Sequence, residues 1–336
     1  MGQANVGELY KHLDTTTALL KEDLDVSYMD ALIETSENIL DGGRVKVEDG
    51  LPHQQVRDQL SEQYNQIKLA QLTTDEIRQA MQLAILRGER TDLIQANHQM
   101  TPDSIGFLVA YLLEALADLP SDATLLDPTV GTGNLLYTVL NRLQVADEPA
   151  LTAYGVDNDD TMLALAGVSA RLQQLNVELY HQDAISDLVV PQVSASVADL
   201  PIGYYPVDER AATFATHAAT GHSYAHHLLI EQSMRYTVAG GFGFFVVPSM
   251  IFKSEEAKGL TKWMTSATYM QGLLNLPREL FSSEAAQKAI LILQNKGEQA
   301  KQAKRILLGE FPSLKNQAGF RRFTAELAQW KQQNLA

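Results

Sequence analysis

Two short apolar runs, each ending in an acid and separated by a glycine turn, constrain this chain more than any other feature. The first run, Leu125 and Leu126, leads to Asp127; Gly131 and Gly133 follow, and a helical pattern opens at Asn134. The second run, Ala153 to Val156, ends at Asp157. A strand, a glycine turn and a helix form a ligand loop in an α/β sheet, because glycine lets a ligand approach the backbone. A dinucleotide fingerprint requires a third glycine where Leu136 stands, and a phosphate-cradling loop requires a Gly-Lys-Ser/Thr that is absent. A carboxylate at Asp127 would repel a diphosphate but suits a ligand with a cationic amino-acid end. Asp157, at the tip of the second strand, is placed to accept hydrogen bonds from two ribose hydroxyls. A cationic amino acid joined to a ribose describes S-adenosylmethionine.

The segment DPTVGTGN resembles the first motif of class I S-adenosylmethionine-dependent methyltransferases, D-P-x-x-G-T-G, and YGVDND resembles their second. The resemblance assigns Asp127, Pro128, Gly131, Gly133 and Asn134, with Asp157 and Asn158, to the cofactor. Upstream, Thr101 reads as a helix cap with Pro102 in the first turn. Ile105, Leu108, Val109, Leu112, Leu113 and Leu116 then form an apolar stripe. QMTP before such a helix resembles the segment that folds over the methionine end of the cofactor in adenine-N6 methyltransferases of the modification-subunit type. On that resemblance His98, Gln99, Met100, Thr101 and Pro102 line the pocket. VELYHQDA reads as a third strand; Asp183, followed by Ala184, matches the acid that receives the adenine amino group of the cofactor.

SASVADLPIGYYPV is a fourth strand running into a proline loop. It stands where amino methyltransferases carry the catalytic N/D-P-P-Y/F/W motif. An adenine N6 lone pair is delocalised into the ring and is a poor nucleophile. Acceptors aimed at the amino hydrogens localise that pair as it attacks, and preorganised acceptors stabilise the developing charge. Asp199 supplies a side-chain oxygen in this reading, the Leu200 carbonyl a backbone one, and Pro201 stiffens the loop. Leu200 replaces the first proline of the motif, and Ile202 replaces the aromatic that stacks on an extruded base. Tyr204 and Tyr205 follow and offer aromatic faces instead. Ile202, Tyr205, His222 and Phe281 are the expected substrate contacts, Phe281 through a resemblance of LPRELF…AILILQNK to the last two strands of the same enzymes. His222 and His226 lie i, i+4 on one expected helix face, but with no HExxH pattern and no cysteine no metal is expected.

Residues 1–95 read as four helices with Ser27 and Thr74 as caps and Gly42-Gly43 as a stop. They form an all-helical N-terminal domain, and residues 96–336 form the methyltransferase domain. The alternation of strands and helices after Leu125 implies a Rossmann-like fold: a mostly parallel seven-stranded sheet with helices on both faces and an antiparallel hairpin at one edge. The tail reads as an extended segment and an amphipathic helix, leaving too few residues for a separate recognition domain.

The absence of cysteine excludes disulfides and thiolate chemistry. No apolar run reaches bilayer length and the N-terminus lacks a signal-peptide pattern, so a cytoplasmic location with no membrane partner is expected. The formal charge is −15, which opposes strong non-specific nucleic-acid binding. Residues 296–336 carry eight Lys/Arg and three Glu, so the acidity lies before them. The resemblance points to adenine-specific DNA methylases related to restriction modification subunits, with DNA as the first expected partner and RNA the second. A homodimer or a separate specificity subunit are the candidate assemblies. A methyltransferase of RNA or protein amides, or a non-catalytic S-adenosylmethionine-binding protein, remain alternatives.

Overall fold

The computed structural model describes residues 2–92, 100–144, 151–254 and 256–335. Four helices come first: α1 (Gly2–Leu24), α2 (Tyr28–Leu40), α3 (Gln54–Gln66) and α4 (Thr74–Thr91). Ser27 caps α2 through the Asp30 amide, as expected. The cap of α4 is Thr73 rather than Thr74, because Thr73 and Glu76 form a reciprocal capping box that a cap one residue later would break.

The remaining chain alternates. Helix α5 (Asp103–Leu116) precedes β1 (Thr124–Asp127), α6 (Asn134–Leu143), β2 (Thr152–Asp157), α7 (Asp160–Gln173), β3 (Asn176–His181) and β4 (Val193–Asp199). Then follow the short α8 (Asp208–Ala211), α9 (Ala225–Tyr236), β5 (Thr237–Pro248), α10 (Ala257–Ala267), β6 (Thr268–Asn275), β7 (Lys288–Asn295), β8 (Leu307–Glu310) and α11 (Gln317–Asn334). The strand order is β3-β2-β1-β4-β5-β7-β6-β8. Strands β1 to β5 pair in parallel, and β7 is antiparallel to both β5 and β6.

The expected α/β class holds, with one strand more than the seven expected. The extended tail segment is β8, which pairs in parallel with β6 and covers the edge that the β6–β7 hairpin would otherwise leave open. Gly240 and Gly241 lie inside β5, which takes over directly from α9 at Thr237.

The central strands are buried on both faces. Phe242, Phe244 and Val246 of β5 join one core with α5, α6 and α11, while Phe245 and Val247 join another with α9 and α10. This two-residue alternation is what a sheet sandwiched by helices requires. The N-terminal helices share a third core with α7, into which Leu165, Val168 and Leu172 project. They therefore lean on the outer side of the sheet. The strand order reverses between the parallel neighbours β1 and β4, and the crevice beyond their carboxyl ends is where open α/β sheets bind ligands.

Candidate active site

A cleft of about 630 Å³ opens at those carboxyl ends. Asp127 ends β1 and forms its floor at 1% exposure. Its carboxylate accepts from the Thr129 amide at 3.0 Å. Burial pushes its pKa up to about 8; the Thr129 N–H opposes this, and the neighbouring Asp157 and Asp199 carboxylates add to it. Gly131 and Gly133 take φ values of 52° and 84°. A Cβ on Gly133 would lie 2.3 Å from the buried Tyr137 ring, whereas Gly131 faces open space, so one glycine serves packing and the other access.

Asp157 ends β2 and accepts from the Gly131 amide at 2.7 Å and the Asp159 amide at 3.0 Å. It thus fastens the glycine turn as well as facing the cleft beside Pro128 and Asn158. Asp183 stands two residues beyond β3. It accepts from the Ile185 amide at 2.9 Å, the Tyr205 hydroxyl at 2.6 Å and the Arg210 guanidinium. Asp183, Ala184 and Tyr205 all line the cleft.

Asp199 ends β4 on the opposite wall. Lys288 Nζ donates to its Oδ1 at 2.6 Å, and the Thr101 hydroxyl donates to Oδ2 at 3.0 Å. Thr101 is therefore not the cap of α5. Pro102 holds the N-cap position, which frees the threonine hydroxyl for the cleft. The Thr129 hydroxyl reaches the Asp199 carbonyl at 3.4 Å. Leu200, Pro201, Ile202 and Tyr204 continue along the rim, with Leu200 buried and Ile202 and Tyr204 exposed. The Tyr204 ring stacks on Tyr224, centroids 4.7 Å apart and 14° from parallel. Residues 204 and 224 also form an isolated antiparallel bridge.

Asn134 lines the cleft, yet its amide is committed elsewhere. It donates to the Thr101 carbonyl at 2.7 Å and to Asp103 at 3.0 Å, and accepts from Arg78 at 3.2 Å. Arg78 comes from α4, is 1% exposed, and forks onto both oxygens of Asp103 at 2.7 and 2.9 Å. A chain of contacts so runs from the N-terminal helices through Asn134 and Thr101 to Asp199.

Two expected substrate contacts, Phe281 and His222, do not line the cleft. Phe281 packs partly buried against the main core and does not line the cleft, because the short helical turn before it (Arg278–Leu280) directs it inward. His222 precedes α9 and pairs with Asp208 at 2.9 Å outside the cleft lining. It therefore shares no helix face with His226, since the helix begins only at Ala225. Gln99, with His98, lies outside the described residues. His226 and His227 are buried, and burial pushes their pKa values down to about 4 and about 3. Among the described residues no group of three or more His, Asp or Glu side chains is arranged to hold a metal ion.

Sequence reading missed Lys288. It opens β7, and only the antiparallel pairing of β7 with β5 brings that end, Pro248 opposite Lys288, beside the carboxyl end of β4. A lone cation at the head of the apolar run KAILIL was the available signal.

A family model described as N-6 DNA Methylase matches residues 95–329. The chain belongs to the N-6 DNA methylase family. Residues 7–89 of this family member match a second model, the YtxK N-terminal helical domain. The uncharacterised protein YtxK of Bacillus subtilis strain 168 is 37% identical over 330 residues, 98% of each chain. A proposed class I S-adenosylmethionine-dependent methyltransferase from Listeria monocytogenes is 40% identical with a TM-score of 0.89, covering 97% of this chain and 99% of that one. The methyltransferase subunit of a type I restriction-modification system from Streptococcus thermophilus shares the fold at 15% identity and TM-score 0.64, covering 94% of this chain and 74% of its own.

This N-6 DNA methylase family member is accordingly a methyltransferase whose cofactor is S-adenosylmethionine. The cleft suits that cofactor on its own evidence. A buried carboxylate held partly protonated by burial and by two neighbouring acids is stabilised by an incoming cation, and the open side of Gly131 admits a ligand to the backbone. No described helix is long and apolar enough to cross a membrane.

Proposed function

We propose that this chain transfers a methyl group to the N6 amino group of adenine in DNA, with Asp199 as the group that handles the amino hydrogens. The observation that carries this reading is the position of Asp199. It ends β4 in the same cleft as Asp127, followed by the DLPI turn at the rim.

Asp127, Pro128, Gly131 and Thr101 hold the amino-acid end of the cofactor in this reading, and Gly133, which does not line the cleft, acts by letting the turn pack on Tyr137. Asp157 and Asn158 hold the ribose, and Asp183 and Ala184 the adenine. Asn134 acts by fixing the Thr101 carbonyl, and Gln99 is retained from the motif alone. Bound S-adenosylmethionine supplies a methyl group on a positively charged sulfur. Asp199 and the Leu200 carbonyl accept from the two amino hydrogens and draw the lone pair out of the ring; as the new N–C bond formed, the methyl–sulfur bond would break to leave a neutral thioether, and Asp199 would take the proton lost from nitrogen. Pro201 limits the motion of the turn. Tyr204, backed by Tyr224, offers the face on which an extruded base stacks in place of the missing aromatic at Ile202. Tyr205 closes the adenine end of the cofactor pocket through Asp183.

One observation favours a second reading. Both Asp199 oxygens already have partners, Lys288 and Thr101, and Ile202 cannot stack on a base. This supports a different acceptor, in RNA or a protein amide, or a chain that binds the cofactor without turnover. The test is transfer of labelled methyl to methylation-free DNA, single-stranded DNA, RNA and cell protein side by side. The expected product is N6-methyladenine in DNA, falling about a hundredfold or more with Asp199→Ala. Label in RNA or protein would replace the acceptor and keep the mechanism. No label from a cofactor-binding sample, alone or with a specificity subunit, would sink the enzymatic reading.

A further inference from the structure

Lys288, the ion-pair partner of Asp199, is the residue that the mechanism above leaves unused. At 2.6 Å the pair sets a hydrogen-bond acceptor and a donor side by side on the wall of the cleft. Both side chains are mostly buried, at 16% and 24% exposure, and both line the cleft. Thr101 donates to the other Asp199 oxygen, which turns Oδ1 toward the lysine.

We infer that this pair reads the edge of the methyl acceptor as a donor–acceptor couple, and that Lys288 donates to the ring nitrogen N1 of the adenine whose N6 hydrogen meets Asp199. Lys288 is then a specificity-determining residue of the proposed adenine site, so the inference rests on the reading given above.

Three points carry it. A neutral ion pair in a partly dry site is costly to part unless both halves find new partners. An adenine edge supplies both at once, N6–H for the carboxylate and N1 for the ammonium. An aliphatic amine supplies only a donor, and in its charged form it faces the Lys288 ammonium. Tyr204, held in a stack on Tyr224, stands at the same rim and favours a planar acceptor over a flexible one. Finally, the pair discriminates strongly, since an acceptor lacking either group leaves a buried charge unmatched.

The test replaces one atom of the substrate. Oligonucleotides carrying adenine or 1-deazaadenine at the methylated position are compared with wild type, Lys288→Met and Lys288→Arg, with cofactor affinity and thermal midpoint measured on each protein. Wild type is expected to lose about ten- to a hundredfold in kcat/KM on 1-deazaadenine, chiefly through KM. Lys288→Met should fall by a similar factor on adenine, stop distinguishing the two bases, and keep its cofactor affinity; Lys288→Arg should recover part of the discrimination. Equal use of both bases by wild type would overturn the inference and leave the adenine reading standing, and that arm needs no variant to fold. Faster methylation of adenine by Lys288→Met would also overturn it, since the lysine would then only obstruct. Methylation of a peptide carboxamide with all adenines inert would overturn both the inference and the adenine reading.

Discussion

In the proposed site, Asp127 is the residue on which the cofactor preference rests. Its raised pKa means that the free folded protein holds the carboxyl partly protonated at neutral pH. The sign follows directly. Folded protein binds this proton more tightly than unfolded chain does, so the contribution is favourable at low pH and is lost as pH rises through about 8. A cationic ligand prefers the ionised form, so cofactor affinity should move the other way. Titration calorimetry should show S-adenosylmethionine binding more tightly as pH rises toward about 8, by up to about tenfold per pH unit, and weakening again above it as the ligand's own α-ammonium loses its proton. Asp127→Asn should bind more weakly and lose this slope. A pH-independent affinity in wild type would show that the cofactor's cation does not feel Asp127.

At the scale of elements, α4 is joined to the cleft by Arg78. The residue is buried, forks onto Asp103 at the first turn of α5, and reaches Asn134 at the first turn of α6. Both helix N-termini are held by one cation supplied from the N-terminal helices. Removing one partner of a buried pair costs about 3–5 kcal/mol because it strands the other charge. Asp103 is about a quarter exposed, which places the cost at the lower end. Arg78→Met should therefore lower the thermal midpoint by roughly 4–6 °C. It should also weaken cofactor binding, because Asn134 and the Thr101 carbonyl lose their anchor. A variant as stable as wild type, with unchanged cofactor affinity, would show that the helices merely rest on the sheet.

The whole molecule is acidic, with a formal charge of −15. The basic excess from Lys296 onward lies in the segments flanking β8 and along α11, and α11 packs its apolar face, including Phe320, Phe323 and Trp330, on the main core. Phosphate contacts dominate DNA affinity and make it fall steeply with salt. The chain alone should bind duplex DNA with Kd no tighter than about 10 µM at roughly 0.15 M salt. Fluorescence anisotropy with and without a candidate specificity subunit checks this. Tight, strongly salt-dependent binding by the chain alone would show a basic face that its charge distribution does not suggest.

The sequence by itself determined the strand-and-turn end of the cleft proposed to take the cofactor. The elements there are local: Asp127, Gly131 and Gly133 stand within one strand and its turn, and Asp157 ends the next strand, so motif spacing and geometry coincide. The alternation of strands and helices determined the fold class for the same reason. What lay far apart in the chain was decided only by tertiary structure. Lys288 meets Asp199 across 89 residues through the pairing of β7 with β5, and Thr101 meets it across 98. Arg78 reaches Asn134 across 56. Phe281 and His222, read as substrate contacts from their place in a motif or beside a helix, are turned away by the turn and the loop that carry them. Hydrogen-bond partners of buried charges are chosen by strand order and helix packing, and neither is written in any short stretch of residues.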